Sequence, residues 1–348
     1  MSTRIGFDHY TISHLSLSPL ATLEFAVEFG LDGVQFLEPS SIDPTLSTPE
    51  LQQFRREADA KGIYLEVGLP SPNPTRRSRA EAREVSAREH AHDLIRHVEA
   101  VSALGCRHAR VYAGDRHDRF RRDPSWKTQL AATEEVLRTL TPCLRDHGIK
   151  LAIETHSDLT VSELLGLLDR LDPEVAGVTL DTGNLVMRLD DPIEAVERLA
   201  PRVLSTHVKD CVLALSPRGL QWQARAVGSG ILPMPDLLAP LIHANPRLNL
   251  SIELHPRTYD LLIFDQEWLA YFPDLRPEGL SAVLRLANDC ESHYTSGRLP
   301  RPEEVEASPW AERAPEWLAQ SLGYLRRVIA AVVEPEPVSA FPRVARDD

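Results

Sequence analysis

Four apolar runs between residues 151 and 255 each lead into a residue that can bind a metal ion or move a proton. The runs are LAIETH, GVTLDTGN, VLSTHVKD and LNLSIELH, and the residues are Glu154, Asp181, His207 and Glu253. One such residue alone is best explained as a helix cap or a polar strand end. Four in succession, one in each run, favour a shared site.

The spacing of these residues fits one strand–helix unit between neighbours. Glu154 and Asp181 are 27 residues apart, Asp181 and His207 are 26 apart, and the 46 residues from His207 to Glu253 leave room for a longer loop, SPRGLQWQARAVGSGIL. Three carboxylates held close together repel one another unless a cation neutralises them. We therefore predict one divalent metal ion, with Mn2+ favoured and Mg2+, Co2+ or Zn2+ as alternatives.

Eight candidate strands must position these side chains, and segments with helix signals lie between them. The candidate strands are residues 4–10, 32–38, 62–68, 108–114, 149–156, 176–181, 203–210 and 248–255. Ser18-Pro19 and Thr48-Pro49 are typical helix starts, and Gly30 and Gly62 are typical helix ends. This alternation predicts an α/β fold, a (β/α)8 TIM barrel, in which the strand ends meet at one rim. A doubly wound open sheet is the alternative, although no GxGxxG follows the first strand.

The chain divides into three predicted parts. Residues 1–256 form the barrel core with the metal site. Residues 257–309 are rich in proline and aromatic residues and contain no clear strand, so they are predicted to be an insertion after the eighth strand that covers the barrel mouth or forms an oligomer contact. Residues 310–348 contain the last barrel helix, with the pattern APEWLAQSLGYLRRVIAAVV, and a C-terminal tail.

Composition restricts the class of protein. The chain has 348 residues, 43% hydrophobic and 26% charged, as is typical of a globular protein with one large domain or two smaller ones. Its four cysteines form no CxxC pair, which favours reduced thiols in a cytoplasmic protein. A formal net charge of −13 argues against a nucleic-acid partner. The sequence contains no signal region and no apolar run long enough for a membrane helix, so no membrane partner is expected.

Alternation along the strands adds three residues to the candidate site. Side chains two residues apart on a strand point to the same side. His156, Lys209 and His255 each stand two residues after a predicted ligand, so we predict that they face the pocket. The alternative for each is a rim residue paired with a neighbouring carboxylate.

The four runs resemble the metal-site segments of the sugar phosphate isomerase/epimerase family, the xylose-isomerase-like TIM barrels. The resemblance covers residues 4–256 and is strongest from 149 to 256. It implies that Glu154, Asp181, His207 and Glu253 are the metal ligands. It also implies that Glu154 and Glu253 carry a proton to and from the substrate through a cis-enediolate. A metal-bound carboxylate can do this if its second oxygen is free to act as a general base.

The activity that the resemblance implies is that of a divalent-metal-dependent sugar isomerase or epimerase. It would act on a small carbohydrate by proton abstraction next to a carbonyl, in a protein for which a homo-oligomer is a possibility. One alternative is a lyase or dehydratase that eliminates a β-substituent from an oxidised sugar, an inosose or a keto-glycoside. A non-catalytic sugar-binding barrel is another. A phosphodiesterase of the AP-endonuclease type is disfavoured, because Asn184 stands where such an enzyme needs a histidine.

Four more residues are candidates for substrate binding. Asn184 occupies the position of the substrate-binding histidine of the ketose epimerases. Arg225 precedes AVGSG, where the family has an arginine that contacts substrate oxygens, and the glycines of this turn could also cradle a phosphate. His9 and Glu38 lie late in the first two strands and are candidates for contacts with sugar hydroxyls.

Overall fold

The protein is described by a computed structural model over residues 3–333, and its strands are short and largely buried. Eleven strands occur in these residues: β1 (Ile5–Asp8), β2 (Gly33–Phe36), β3 (Tyr64–Gly68), β4 (His108–Val111), β5 (Lys150–Glu154), β6 (Ala176–Asp181), β7 (Val203–His207), β8 (Asp210–Ser216), β9 (Gly219–Arg225), β10 (Leu250–Ile252) and β11 (Thr258–Leu261). Eight form one parallel sheet in the order β10, β1, β2, β3, β4, β5, β6, β7. The predicted (β/α)8 barrel is confirmed.

The ring closes between β7 and β10, the two strands at the ends of the sheet order. Val208 and Ile252 form an isolated parallel bridge. The Val208 amide donates to Ser251 at 2.7 Å, and the Glu253 amide donates to Val208 at 3.3 Å. We call this junction the seam. It lies directly beside His207 and Glu253, which belong to its two sides.

Helices follow the strands, and the capping residues predicted from the sequence set several of the helix ends. They are α1 (Pro19–Phe29), α2 (Thr48–Ala60), α3 (Pro74–Glu81), α4 (Ala87–Ala103), α5 (Arg116–Arg119), α6 (Trp126–His147), α7 (Val161–Leu168), α8 (Pro192–Leu199), α9 (Met234–Ala244), α10 (Gln266–Leu269), α11 (Pro277–Thr295), α12 (Pro302–Glu306) and α13 (Trp310–Val333). Ser18 caps α1 by accepting from the Ala21 amide at 3.3 Å, and Gly30 ends it with a φ of 74°.

A small antiparallel sheet stands where the sequence predicted a loop. β8 and β9 form a hairpin, and β11 pairs with β9. The segment SPRGLQWQARAVGSGIL, predicted as a longer loop, therefore contains β9, and residues 257–309, in which no clear strand was predicted, contain β11. The overlooked signal is the alternation in LQWQAR, where the fully buried Leu220 and Trp222 are each followed by a glutamine.

Residues 257–309 pack on the same core as the barrel. Helix α11 lies against β8, and its residues Val283, Ala287 and Cys290 belong to the main hydrophobic cluster. Helix α13 contacts β1 and β10, as expected of the last barrel helix. The predicted tail beyond residue 333 lies outside the described residues. Among the helices of residues 3–333, none combines the length and apolar character that crossing a bilayer requires.

Candidate metal centre

The four predicted ligands converge at the carboxyl end of the barrel. Glu154, Asp181 and His207 are the last residues of β5, β6 and β7, and Glu253 directly follows β10. One ligand atom from each residue lies within 4.8 Å of the others. The first three are buried, whereas the Glu253 side chain is 14% exposed. The cluster is therefore a buried group of three carboxylates and one histidine, in which Glu253 is partly exposed to solvent.

His207 lies between two pairs of acceptors. Its Nδ1 is 3.2 Å from Glu154 Oε1 and 3.3 Å from Glu253 Oε2. Its Nε2 is 3.2 Å from Asp8 Oδ2 and also contacts Gln35. Burial alone would lower the pKa of His207, but the charges of Glu253 and Glu154 outweigh it and hold this pKa well above its usual range. The contacts at Nε2 fix the ring, so that Nδ1 points into the cluster.

Glu154 is held by a buried arginine that sequence reasoning missed. Arg110 of β4 donates from Nη1 to Glu154 Oε2 at 2.7 Å, and the two side chains are only 7% and 1% exposed. Burial would raise the pKa of Glu154, but Arg110 above all holds it well below its usual range. Because Oε1 lies beside His207, both oxygens of Glu154 are engaged.

Lys209 supplies positive charge on the other side of the cluster. Its Nζ lies 2.9 Å from Asp181 Oδ2 and 2.6 Å from Glu253 Oε2. Burial raises the pKa of Asp181 to about 7 although Lys209 opposes this, and repulsion from Glu253 and Glu154 adds to the rise. Among residues 3–333, Glu253 Oε1 makes no hydrogen bond or ion pair, whereas Oε2 has both His207 and Lys209 as partners.

The donor set fits a divalent cation. Three carboxylates and one imidazole are ligands that Mn2+, Mg2+ or Zn2+ accepts. Burial above all raises the pKa of Asp181, and a bound cation would stabilise its charged form. Asn184 steadies one ligand. Its side-chain amide donates to Asp181 Oδ2 at 2.8 Å, and its backbone amide donates to Oδ1 at 3.0 Å. Asn184 thus contacts a predicted ligand directly.

Two of the predicted histidines flank the cluster. His255 is buried beside Lys209 and packs on Trp222, with ring centroids 5.7 Å apart. Burial, aided by Lys209, lowers the pKa of His255 to about 3. His156 donates from Nδ1 to the Gly114 carbonyl at 2.9 Å and lines the open mouth of the barrel.

His9 and Glu38 lie further from the cluster. The His9 ring packs on Phe36, with centroids 5.3 Å apart, and its Nδ1 is 3.9 Å from Asp8. Glu38 follows β2 and is half-buried, and its charge acts on His97 of α4. Neither residue contacts the four predicted ligands.

Arg225 does not join the cluster. It is 3% exposed and donates to Gln223 and, at 2.9 Å, to the Pro300 carbonyl. The structure thus directs Arg225 toward residues 298–313, away from the four ligands. The Gly-Ser-Gly turn is also occupied, because the amides of Gly228 and Gly230 donate to the Asp210 carboxylate at 3.0 and 2.9 Å. The two amides are therefore already hydrogen-bonded within the protein, whereas the amides of a phosphate-binding turn would be free to bind the ligand.

The chain belongs to the xylose isomerase-like TIM barrel family, whose model matches residues 23–271. One curated relative is the 3-oxo-isoapionate decarboxylase of Pectobacterium atrosepticum, 29% identical over 229 residues, which are 65% of this chain and 74% of the relative. Another is the inosose dehydratase of Geobacillus kaustophilus, 28% identical over 58% of this chain and 63% of the relative.

Solved structures share the fold at low identity. The 3-keto-D-glucoside 4-epimerase of E. coli is 16% identical, with a TM-score of 0.54 over 81% of this chain and 99% of that chain. A D-allulose 3-epimerase from Methylomonas is 14% identical, with a TM-score of 0.57 over 94% of this chain and 98% of that chain. Family members are thus enzymes, and the relatives named here include both lyases and epimerases.

Proposed function

We propose that the protein is a metal-dependent lyase that acts on an oxidised carbohydrate through an enolate. The observation that carries this proposal is the pairing of Arg110 with Glu154 at 2.7 Å. Epimerisation by two carboxylates needs a free oxygen on each of them. Glu154 has none, since Oε1 lies beside His207 and Oε2 is bound by Arg110. An elimination or a decarboxylation needs only one acid–base group on the reacting carbon.

Each of the four ligands then has a role. Glu154, Asp181, His207 and Glu253 would hold the ion, which supplies a positive charge that stabilises an enolate oxygen. Glu154 serves as a ligand only, which revises its expected role as a base. Asn184 and Arg110 hold the carboxylates of Asp181 and Glu154 in place, and Asp8 orients His207.

Glu253 is the acid–base group of this proposal, because its Oε1 is free and its side chain is 14% exposed. In a dehydration, Glu253 removes the proton next to the carbonyl, the enolate expels the β-hydroxyl group with its bonding electrons, and Glu253 returns the proton to that oxygen so that water leaves. In a decarboxylation, CO2 leaves first and its bonding electrons form the enolate. Glu253, after it has taken a proton from solvent, delivers that proton to the same carbon. Lys209, 2.6 Å from Glu253 Oε2, keeps this carboxylate oriented. The names of the two curated relatives, a decarboxylase and a dehydratase, support this class of reaction.

Isomerase or epimerase activity is the second candidate. It is favoured by the short distance between Glu154 and Glu253, whose ligand atoms lie within the same 4.8 Å cluster. If binding of the ion or of a substrate drew Arg110 away, the second oxygen of Glu154 would become available, and a two-base reaction would follow.

The two candidates give different products in D2O. Full-length protein loaded with Mn2+ is incubated with an inosose, a 3-keto-glucoside, a 3-oxo sugar acid and D-fructose, and the metal is removed by chelation before NMR. Loss of water, aglycone or CO2 supports the lyase. A retained skeleton with deuterium beside the carbonyl supports the epimerase and contradicts the lyase. Glu253→Gln should be inactive, whereas Glu24→Gln, at a side chain that is 62% exposed, should match the wild type.

A further inference from the structure

A cavity of about 320 Å³ opens at the carboxyl end of the barrel. Its walls include Arg116 and His156, which follow β4 and β5, and Arg257 and Tyr259, which follow β10. His156 stands two residues after Glu154, and the charge of Glu253 acts on Arg257. The cavity therefore lies on the same side of the barrel as the metal centre, although none of the four predicted ligands lines it.

Tyr259 orients two guanidinium groups toward this cavity. Arg116 lies over its ring, with Cζ 4.7 Å from the centroid. Arg257 donates from Nη1 to the Tyr259 hydroxyl at 3.2 Å, and from Nη2 to the Tyr10 hydroxyl. Tyr259 itself stacks on the fully buried Trp222, with centroids 5.6 Å apart. The two arginines are thus held by aromatic side chains that are themselves fixed by packing.

Neither arginine is neutralised by an acid. Within residues 3–333, no carboxylate oxygen lies within 4.0 Å of Arg116 or Arg257. Asp115 also lines the cavity, but it is bound to Arg76 at 3.1 Å. Two guanidinium groups without an acidic partner therefore face the same cavity of a protein whose net charge is −13. In such a setting they attract anions and hold them by paired hydrogen bonds.

We propose that this cavity binds a negatively charged group of the substrate, a carboxylate or a phosphate, through Arg116 and Arg257. The identification of this ligand as the substrate rests on the proposed function, but the anion site itself does not. The substrate class is then an acidic or phosphorylated sugar, with its anionic group at the mouth and its reacting carbon at the metal centre.

Binding to metal-free, full-length protein tests the anion site without any catalysis. D-glucuronate, D-glucose 6-phosphate and D-glucose are titrated at low ionic strength, and binding is followed by saturation-transfer NMR. At least one charged sugar is expected to bind about tenfold or more tightly than glucose. Stronger binding of glucuronate identifies a carboxylate site, and stronger binding of the phosphate ester identifies a phosphate site. Chelation removes the metal ion as a competing anion site.

Variants decide whether the two arginines are responsible. The double variant Arg116→Met/Arg257→Met should lose the preference for the charged sugar, whereas Arg122→Met should keep it, because Arg122 is 84% exposed on the loop after α5. Equal binding of the three sugars, no binding of either anion at millimolar concentration, or a preference that survives in a folded double variant would each overturn the proposal. An anion preference without lyase products would refute the proposed function alone.

Discussion

Arg110→Met is expected to destabilise the metal-free protein by about 3–5 kcal/mol, the usual cost of removing one partner of a buried ion pair. Arg110 is 6% exposed and Glu154 is 1% exposed, so water cannot readily replace the guanidinium group. The charge of Arg110 also acts on Asp8 and Glu253. Methionine fills much of the space of the arginine side chain, so the loss of stability would come mainly from the missing charge and less from lost packing.

Two conditions make this prediction specific. Excess Mn2+ should restore stability, by about 4 kcal/mol at a thousand times Kd, because Arg110→Met keeps all four ligands. Lowering the pH should reduce the difference in the free energy of unfolding between Arg110→Met and the wild type. Since the pKa of Glu154 is depressed in the folded state, its stabilisation is present above the pKa of the unfolded chain and is lost as the pH falls toward the folded value.

The assay is urea unfolding followed by circular dichroism, with chelator and with Mn2+. Arg122→Met, at an arginine that is 84% exposed, serves as the control and should change stability by less than about 0.5 kcal/mol. A loss below about 1 kcal/mol for Arg110→Met in chelator would refute the reasoning. It would mean that Glu154 does not depend on Arg110, and the argument against a second base would fail with it.

Three further predictions concern the cluster and its surroundings. Wild-type protein reloaded with Mn2+ should hold about one ion per chain by elemental analysis, and Asp181→Ala should hold little; equal contents would refute the four-ligand site. Glu253→Gln should fold normally by circular dichroism and lose turnover at least about a hundredfold on a verified substrate, and near wild-type turnover would remove Glu253 as the acid–base group. Burial raises the pKa of Asp158 to about 6, so the contribution of this group to the free energy of unfolding should fall by roughly 2–3 kcal/mol as the pH rises from 4 to 6. For Asp158→Asn, the free energy of unfolding measured in urea should depend less steeply on pH over that range. The same pH dependence in variant and wild type would contradict this.

The fold and the four-residue cluster were largely predictable from the sequence. Each barrel strand is a short apolar run between helix signals, and Glu154, Asp181 and His207 end three of these runs. Alternation also indicated that Lys209 shares the side of His207, and the structure brings Lys209 to within 2.9 Å of Asp181. These features depend on local periodicity, which a sequence displays directly.

The supporting residues were not predictable, because their role depends on contacts between distant strands. Asp8, Gln35 and Arg110 lie in β1, β2 and β4 and surround His207 and Glu154. In the sequence, an inward arginine in HARVYAG cannot be distinguished from one at the surface. Arg225 shows the converse case, since its place before a glycine turn predicted a substrate contact, whereas in the structure Arg225 donates to the Pro300 carbonyl.

The seam between β7 and β10 links the site to the assembly of the barrel. Strands β1 to β7 can pair in the order of the chain, and they already carry Glu154, Asp181 and His207. Glu253 joins these three only when β10 closes the ring beside β1 and β7. A complete ligand set therefore exists only in a closed barrel, so partly folded chains would lack a four-ligand site. An ion bound by residues on both sides of the seam would also link two strands that share only an isolated bridge.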